Sequence, residues 1–167
     1  MVRRTTLLLA TALVTAVPSF AAGPPPAVEL HGLSFTPPIA LSAPARTGLD
    51  ALLVVHPAEA KAGGEKFSLT AVAFPKDSGM NDAELLDYVK TTFLATSAPG
   101  KPVVRTFLGK EVTGKSLEKK IPTPSGAEIY VVTKKDGNKV VLGFVFSPGF
   151  KAEAETAIAG IAATMKE

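Results

Sequence analysis

His31 and His56 are the only imidazoles in the chain. A zinc or copper site would need them to converge with carboxylates such as Glu29 or Asp50. No HxxxH or HExxH spacing sets them on one helix face. They are expected to be unrelated residues on strands or strand ends, with no shared metal. Ser147 in SPG and Ser125 in PSG carry turn chemistry, and no G-x-S-x-G elbow supplies a strained serine nucleophile. Cysteine is absent, which excludes thiolate catalysis, disulfide staples and cysteine metal sites. Glu111, Glu118 and Glu128 could in principle pair as glycosidase carboxylates. All three stand among lysines, the pattern of a solvated face. Ala62-Gly63-Gly64 lacks the Lys and Ser/Thr of a phosphate-binding loop, and no G-x-G-x-x-G is present. No catalytic, cofactor-binding or metal-ligating residue is assigned, and no cofactor is expected.

The one departure from charge balance runs from Lys101 to Lys139. It holds nine basic residues against four acidic ones. Lys115, Lys119, Lys120, Lys134, Lys135 and Lys139 form a candidate partner-binding basic face for an acidic protein or anionic envelope component. The favoured reading is that these lysines blunt exposed strand edges against aggregation. Lysine predominates over arginine and aromatics are not interleaved as nucleic-acid binders need, so nucleic acid is not an expected partner.

These residues need elements to position them. LHGLSFTPP offers one brief strand, LDALLVVHPA a strongly apolar one, and KFSLTAVAFP a strand with one mostly buried face. GMNDAELLDYVKTTFLA predicts a helix, with Asn81 as N-cap and Glu84 completing a capping box. Leu85, Val89 and Phe93 give it an apolar stripe. From Val103 onward the pattern is a meander. Gly109 and Gly114 mark tight turns or bulges, and Asp136-Gly137 marks a hairpin between AEIYVVTKK and NKVVLGFVF. In the last of these strands Val140, Leu142, Phe144 and Phe146 face one way, while Val141, Gly143 and Val145 face the other. Both faces therefore need cover. A terminal helix carries Ala154, Ala157, Ile158, Ile161, Ala162 and Met165 in one stripe. Gly160 lies within that stripe, where close packing against a neighbour would explain it. The order of elements lacks regular βαβ alternation. It predicts an α+β fold, an antiparallel sheet flanked by helices as an α/β/α sandwich.

The first 21 residues read differently. Arg3 and Arg4 precede an apolar run from Leu7 to Val17, and Ser19-Phe20-Ala21 places small residues where a signal peptidase reads. A cleavable signal peptide over 1–21 is expected, with no lipobox cysteine, followed by a flexible Pro-rich lead over 22–29 and a single domain over 30–167. Export implies a periplasmic or secreted protein with no transmembrane segment after cleavage. The formal net charge of +3 would fall to about +1 without Arg3 and Arg4.

The segments FSLTAVAFPKDSGMNDAELLDYVKTTF and EIYVVTKKDGNKVVLGFVFSPGFKAEAETAIAGIAATMK, in that order, resemble the PsbP-like family, which includes the bacterial DcrB-like periplasmic proteins. That resemblance implies an α/β/α sandwich and an accessory or partner-binding role, and it carries no site residue across. The leading expectation is a secreted or periplasmic non-enzymatic binding or accessory protein. The alternative is a small-molecule or lipid-binding module with a cavity between sheet and helix, lined by Phe67, Phe74, Phe93, Phe144 and Phe146. An enzyme is the third.

Overall fold

A computed structural model of the chain describes residues 23–119 and 125–167. The expected signal peptide and Lys120 lie outside the described residues. The elements are β1 (Val28–Leu30), β2 (Leu33–Phe35), β3 (Ala45–Arg46), β4 (Ala51–His56), β5 (Phe67–Phe74), α1 (Asp82–Thr92), β6 (Lys101–Phe107), β7 (Lys110–Lys119), β8 (Ser125–Thr133), β9 (Lys139–Phe146) and α2 (Lys151–Thr164). The fold is α+β. Seven antiparallel strands form one sheet in the order β3-β4-β5-β9-β8-β7-β6. The chain lays down β3, β4 and β5 side by side, then crosses through α1 to the far edge. It returns strand by strand, so that β9 closes against β5.

β9 answers for the layering. Val140, Leu142 and Phe144 join one buried cluster with Ile158 and Ile161 of α2. Val141 joins another with Leu85 and Val89 of α1. Alternate side chains of a strand leave opposite faces, so the two helices cover opposite sides of the sheet. The sheet thus has an α1 face and an α2 face.

α1 starts where its capping box closes. The Asn81 side-chain oxygen accepts from the Glu84 N–H at 3.0 Å, and the Asn81 N–H donates to Glu84 Oε2 at 2.7 Å. Such a cap contributes about 1 kcal/mol. α2 is fixed at its far end by side chain and backbone together. Thr164 Oγ1 accepts from the Thr36 N–H at 3.0 Å. Ser34 and Lys166 exchange backbone hydrogen bonds of 2.8 and 2.9 Å.

Two expectations about the start of the domain are corrected. The stretch LHGLSF is not one strand but the turn and second arm of a hairpin. His31 and Gly32 both take positive φ, 53° and 77°, and fold β2 back on β1. The hairpin begins at Val28, inside the stretch expected as a flexible lead. Val28, Leu30, Leu33 and Phe35 are buried against the α2-side core. Their apolar side chains at alternate positions are what hold the residues down.

Candidate functional site

The two helices cover their faces unequally. α1 runs over β8 and β9 and ends before β4. Gly143 has no side chain at the point where α1 ends. A Cβ there would lie 3.3 Å from Leu94 Cδ2, so Leu94 seats on the sheet. Beyond Leu94 the α1 face is uncovered. Cross-strand register sets two rows on it: Val55, Ser68 and Val145 in one, and Leu53, Thr70 and Gly143 in the other. Each row places a hydroxyl between apolar or side-chain-free neighbours. Leu53, Val55, Ser68, Thr70 and Val145 are all half-buried.

This strip is the floor of a recess of about 600 Å³. Phe93 and Leu94 wall one side, and Lys66 and Glu65 stand among its lining residues. The volume lies within the range of small-molecule sites. The recess corresponds to the expected gap between sheet and helix, but the expected phenylalanines divide. Phe93 walls it, and Phe67 and Phe146 border it from strands whose alternation sends both rings into the α2-side core. Phe144 is fully buried in the α2-side core, and Phe74 instead meets Tyr88 edge-on at 5.9 Å. The signal for the recess was Gly143 between two apolar residues, together with Ser68 and Thr70 in a strand otherwise apolar.

A buried carboxylate lies on the other face. Glu128 was expected on a solvated surface; it is 6% exposed. Arg105 on β6 reaches across β7 to it. Arg105 Nε donates to Glu128 Oε2 at 2.7 Å and Nη2 to Oε1 at 2.9 Å, a fork-on-fork pair. Tyr130 Oη donates to the same Oε2 at 2.5 Å and accepts from Arg105 Nε at 3.0 Å. Gly114 makes the crossing possible. A Cβ there would come within 2.2 Å of the Ile129 carbonyl and 2.5 Å of the Tyr130 ring. Burial, and next the bond to Glu128, push the Tyr130 phenol well above its usual range.

The basic residues are spread over several elements. Lys139 Nζ lies 2.6 Å from Asp82 Oδ1 at the start of α1. Lys134 Nζ lies 3.5 Å from Asp136 Oδ2 in the β8–β9 turn, and Lys135 neighbours it. The Asn138 N–H, and next the Lys134 charge, hold Asp136 below the usual carboxylate range. Lys115 sits mid-β7 on the α1 face, beside a shallow recess shared with Glu84, Asp87 and Tyr88. Lys90 holds Asp87 below its usual range, first by a hydrogen bond and then by charge. Lys119 closes β7. The five described lysines thus divide between the turn end of the sheet, where Lys134, Lys135 and Lys139 lie, and β7, which carries Lys115 and Lys119.

The histidines have separate backbone partners. His56 Nδ1 donates to the Ala40 carbonyl at 2.8 Å, with its ring stacked on Phe150. His31 Nε2 donates to the Ala71 carbonyl at 3.2 Å. Among the described residues no helix is long and apolar enough to cross a membrane.

No family model matches the chain, and no curated protein matches it. Solved structures do match, among them a crystal structure from Bacteroides thetaiotaomicron VPI-5482. That structure is 12% identical, with a TM-score of 0.46, over 80% of this chain. The chain spans 44% of that protein's length, and likeness at this level carries no argument about fold or function.

Proposed function

We propose that the chain is a non-enzymatic binding or accessory protein of the periplasm or extracellular space, and that its contact surface is the recess on the α1 face. The observation that carries this reading is the strip of Leu53, Val55, Ser68, Thr70 and Val145 left bare of helix, a ligand-sized hollow whose lining mixes apolar side chains with hydroxyls and the charged pair Glu65 and Lys66. Such a mixed lining suits an amphiphile, a small molecule or lipid with an apolar body and a few polar groups. The buried charge supports a non-catalytic role: Arg105 and Tyr130 already occupy the Glu128 carboxylate. The α+β layering is compatible with the resemblance to the PsbP-like family, from which an accessory role would follow. The signal-peptide pattern of residues 1–21 supports export.

A second contact through the lysines, to an acidic protein or anionic envelope component, has weaker support. Lys139 and Lys134 are drawn to Asp82 and Asp136, and so present less free charge.

The test is native mass spectrometry of the protein recovered from an envelope or secreted fraction. Thr70→Trp is compared with the parent. Thr70 is half-buried on a strand that tolerates a large aromatic, so the variant should fill the recess and melt like the parent. The expected result is a retained small molecule that Thr70→Trp loses. A parent protein that retains nothing, and a variant that captures the same envelope partners as the parent, would remove the recess from the function.

A further inference from the structure

The two outer strands of the sheet are unlike. β3 has two residues and carries exposed Arg46. A short, charged edge is a protected one. β6 has seven residues, Lys101–Phe107. Its turn to β7 is made by Leu108 and Gly109, both at positive φ (52° and 74°), the geometry of a two-residue hairpin. That turn makes Phe107 and Lys110 a hydrogen-bonded pair. Alternation then turns the backbone groups of Val103 and Arg105 toward β7, and those of Pro102, Val104 and Thr106 outward. All three outward residues are exposed, and Val104 is 55% exposed although fully apolar. Among the described residues nothing pairs with this rim, since the sheet order ends at β6.

Edges are ordinarily guarded by charge. Arg105 is the residue of β6 placed to do so, yet its guanidinium is turned away to Glu128 and Tyr130. Lys101 stands at the far end only. The rim between is neutral, and its centre is a bare valine.

We propose that β6 pairs antiparallel with β6 of a second copy of this chain, about a two-fold axis at Val104. Val104 is the middle residue of the strand, so this register pairs its whole length. Pro102 then faces the partner copy's Thr106. Thr106 donates its N–H to the partner copy's Pro102 carbonyl, and the donor that proline lacks is lost away from the axis. Lys101 faces the partner copy's Phe107, and Arg105 faces the partner copy's Val103, so no like charges stand directly opposite. Moving the axis to Pro102 would put both missing donors at the centre, and moving it to Thr106 would run the strands into the Leu108-Gly109 turn. The interface is isologous, and one edge of each sheet disappears into a continuous double sheet.

The chain contains no cysteine, so a single introduced thiol reports the register. The two Val104 residues form a hydrogen-bonded pair in this register, with Cα atoms about 5.5 Å apart, which suits a disulfide. Val104→Cys should form a covalent dimer on mild oxidation at least about tenfold faster than Thr106→Cys, whose thiols would sit about four residues, roughly 14 Å, out of register. Sedimentation equilibrium of the parent should show a concentration-dependent dimer. Val104→Lys, a change at an exposed position, should abolish the dimer while retaining the far-ultraviolet circular dichroism of the parent. The pairing is overturned by a parent that stays monomeric with Val104→Cys no faster than Thr106→Cys, whether or not the edge then takes a strand from another protein. A dimer that survives Val104→Lys overturns it as well, because the interface then lies elsewhere.

Discussion

At the scale of single residues the chain conceals its most constrained group. Glu128 stands in sequence near lysines, and local company predicts solvent. Its fate is set instead by parity. Glu128, Tyr130 and Val132 are alternate residues of one strand, and the last two are core, so Glu128 is carried inward with them. Once inside, the carboxylate requires donors, and Arg105 and Tyr130 supply them from 23 residues upstream and two residues downstream. No local signal links Arg105 to Glu128, because β7 lies between their strands; Gly114 was the visible trace, a residue with a close-approach role that the sequence could only mark as a turn or bulge. Tyr130→Phe should therefore cost about 1–2 kcal/mol, the loss of a hydrogen bond to a buried charge. The pH dependence has a definite sign. The folded-state pKa of Tyr130 is raised, so the unfolded chain loses this proton first. The stabilisation is fully present below the ordinary tyrosine range near pH 10 and is lost as pH rises beyond it. Denaturant titrations between about pH 8 and pH 11 should show parent stability falling more steeply than that of Tyr130→Phe at the alkaline end. Equal slopes would mean that the phenol is not held protonated by the fold.

At the scale of elements most of the chain was legible, because the signals are local. Asn81 and Glu84 announce α1, Asp136-Gly137 announces the last hairpin, and the unbroken apolar run of β9 announces cover on both faces. The β1–β2 hairpin is not legible in sequence because His31-Gly32 is not among the Asn-Gly, Asp-Gly or Gly-Gly pairs that mark such a turn, although His31 takes the left-handed conformation it needs. Gly160 of α2 was read as a close-packing position, and its neighbour is now identified. A Cβ there would lie 2.9 Å from Pro38 Cγ and 3.0 Å from Cδ, a rigid ring in the loop that follows β2. Two effects compete in Gly160→Ala. Helix propensity favours alanine by about 1 kcal/mol. Overpacking against a ring that cannot rotate away costs about 1–3 kcal/mol. Overpacking should win, with a net loss of about 1 kcal/mol in chemical denaturation. A gain in stability would show that the Pro38 loop yields freely and that α2 is held by its apolar stripe and the Thr164 contacts alone.

At the scale of the whole molecule the sequence was silent on strand order. That β9 lies between β5 and β8 is decided by pairings such as Ala71 with Leu142, more than 70 residues apart, and no local pattern encodes them. The uncovered part of the α1 face is invisible for the same reason: it depends on where α1 ends relative to β4, not on what either segment contains. This order makes a statement about cooperativity. β9 is hydrogen-bonded on both sides, and Val141 and Leu142 are fully buried beneath different helices. Exposing those two amides requires opening the centre of the sheet, which removes both cores together. They should exchange with solvent only through global unfolding, with a free energy equal to that from denaturant melts. The edges should differ. Arg46 on the two-residue β3 should exchange by local opening. The amides of Val104 and Thr106 point away from β7, so at dilutions where the chain is single they should exchange nearly as fast as in an unstructured peptide. Raising the protein concentration should slow these two amides and leave Arg46 unchanged if the β6 edges pair. Exchange of Val141 or Leu142 well before the half-covered Leu53 would instead place β9 outside the cooperative unit and require a different centre for the fold.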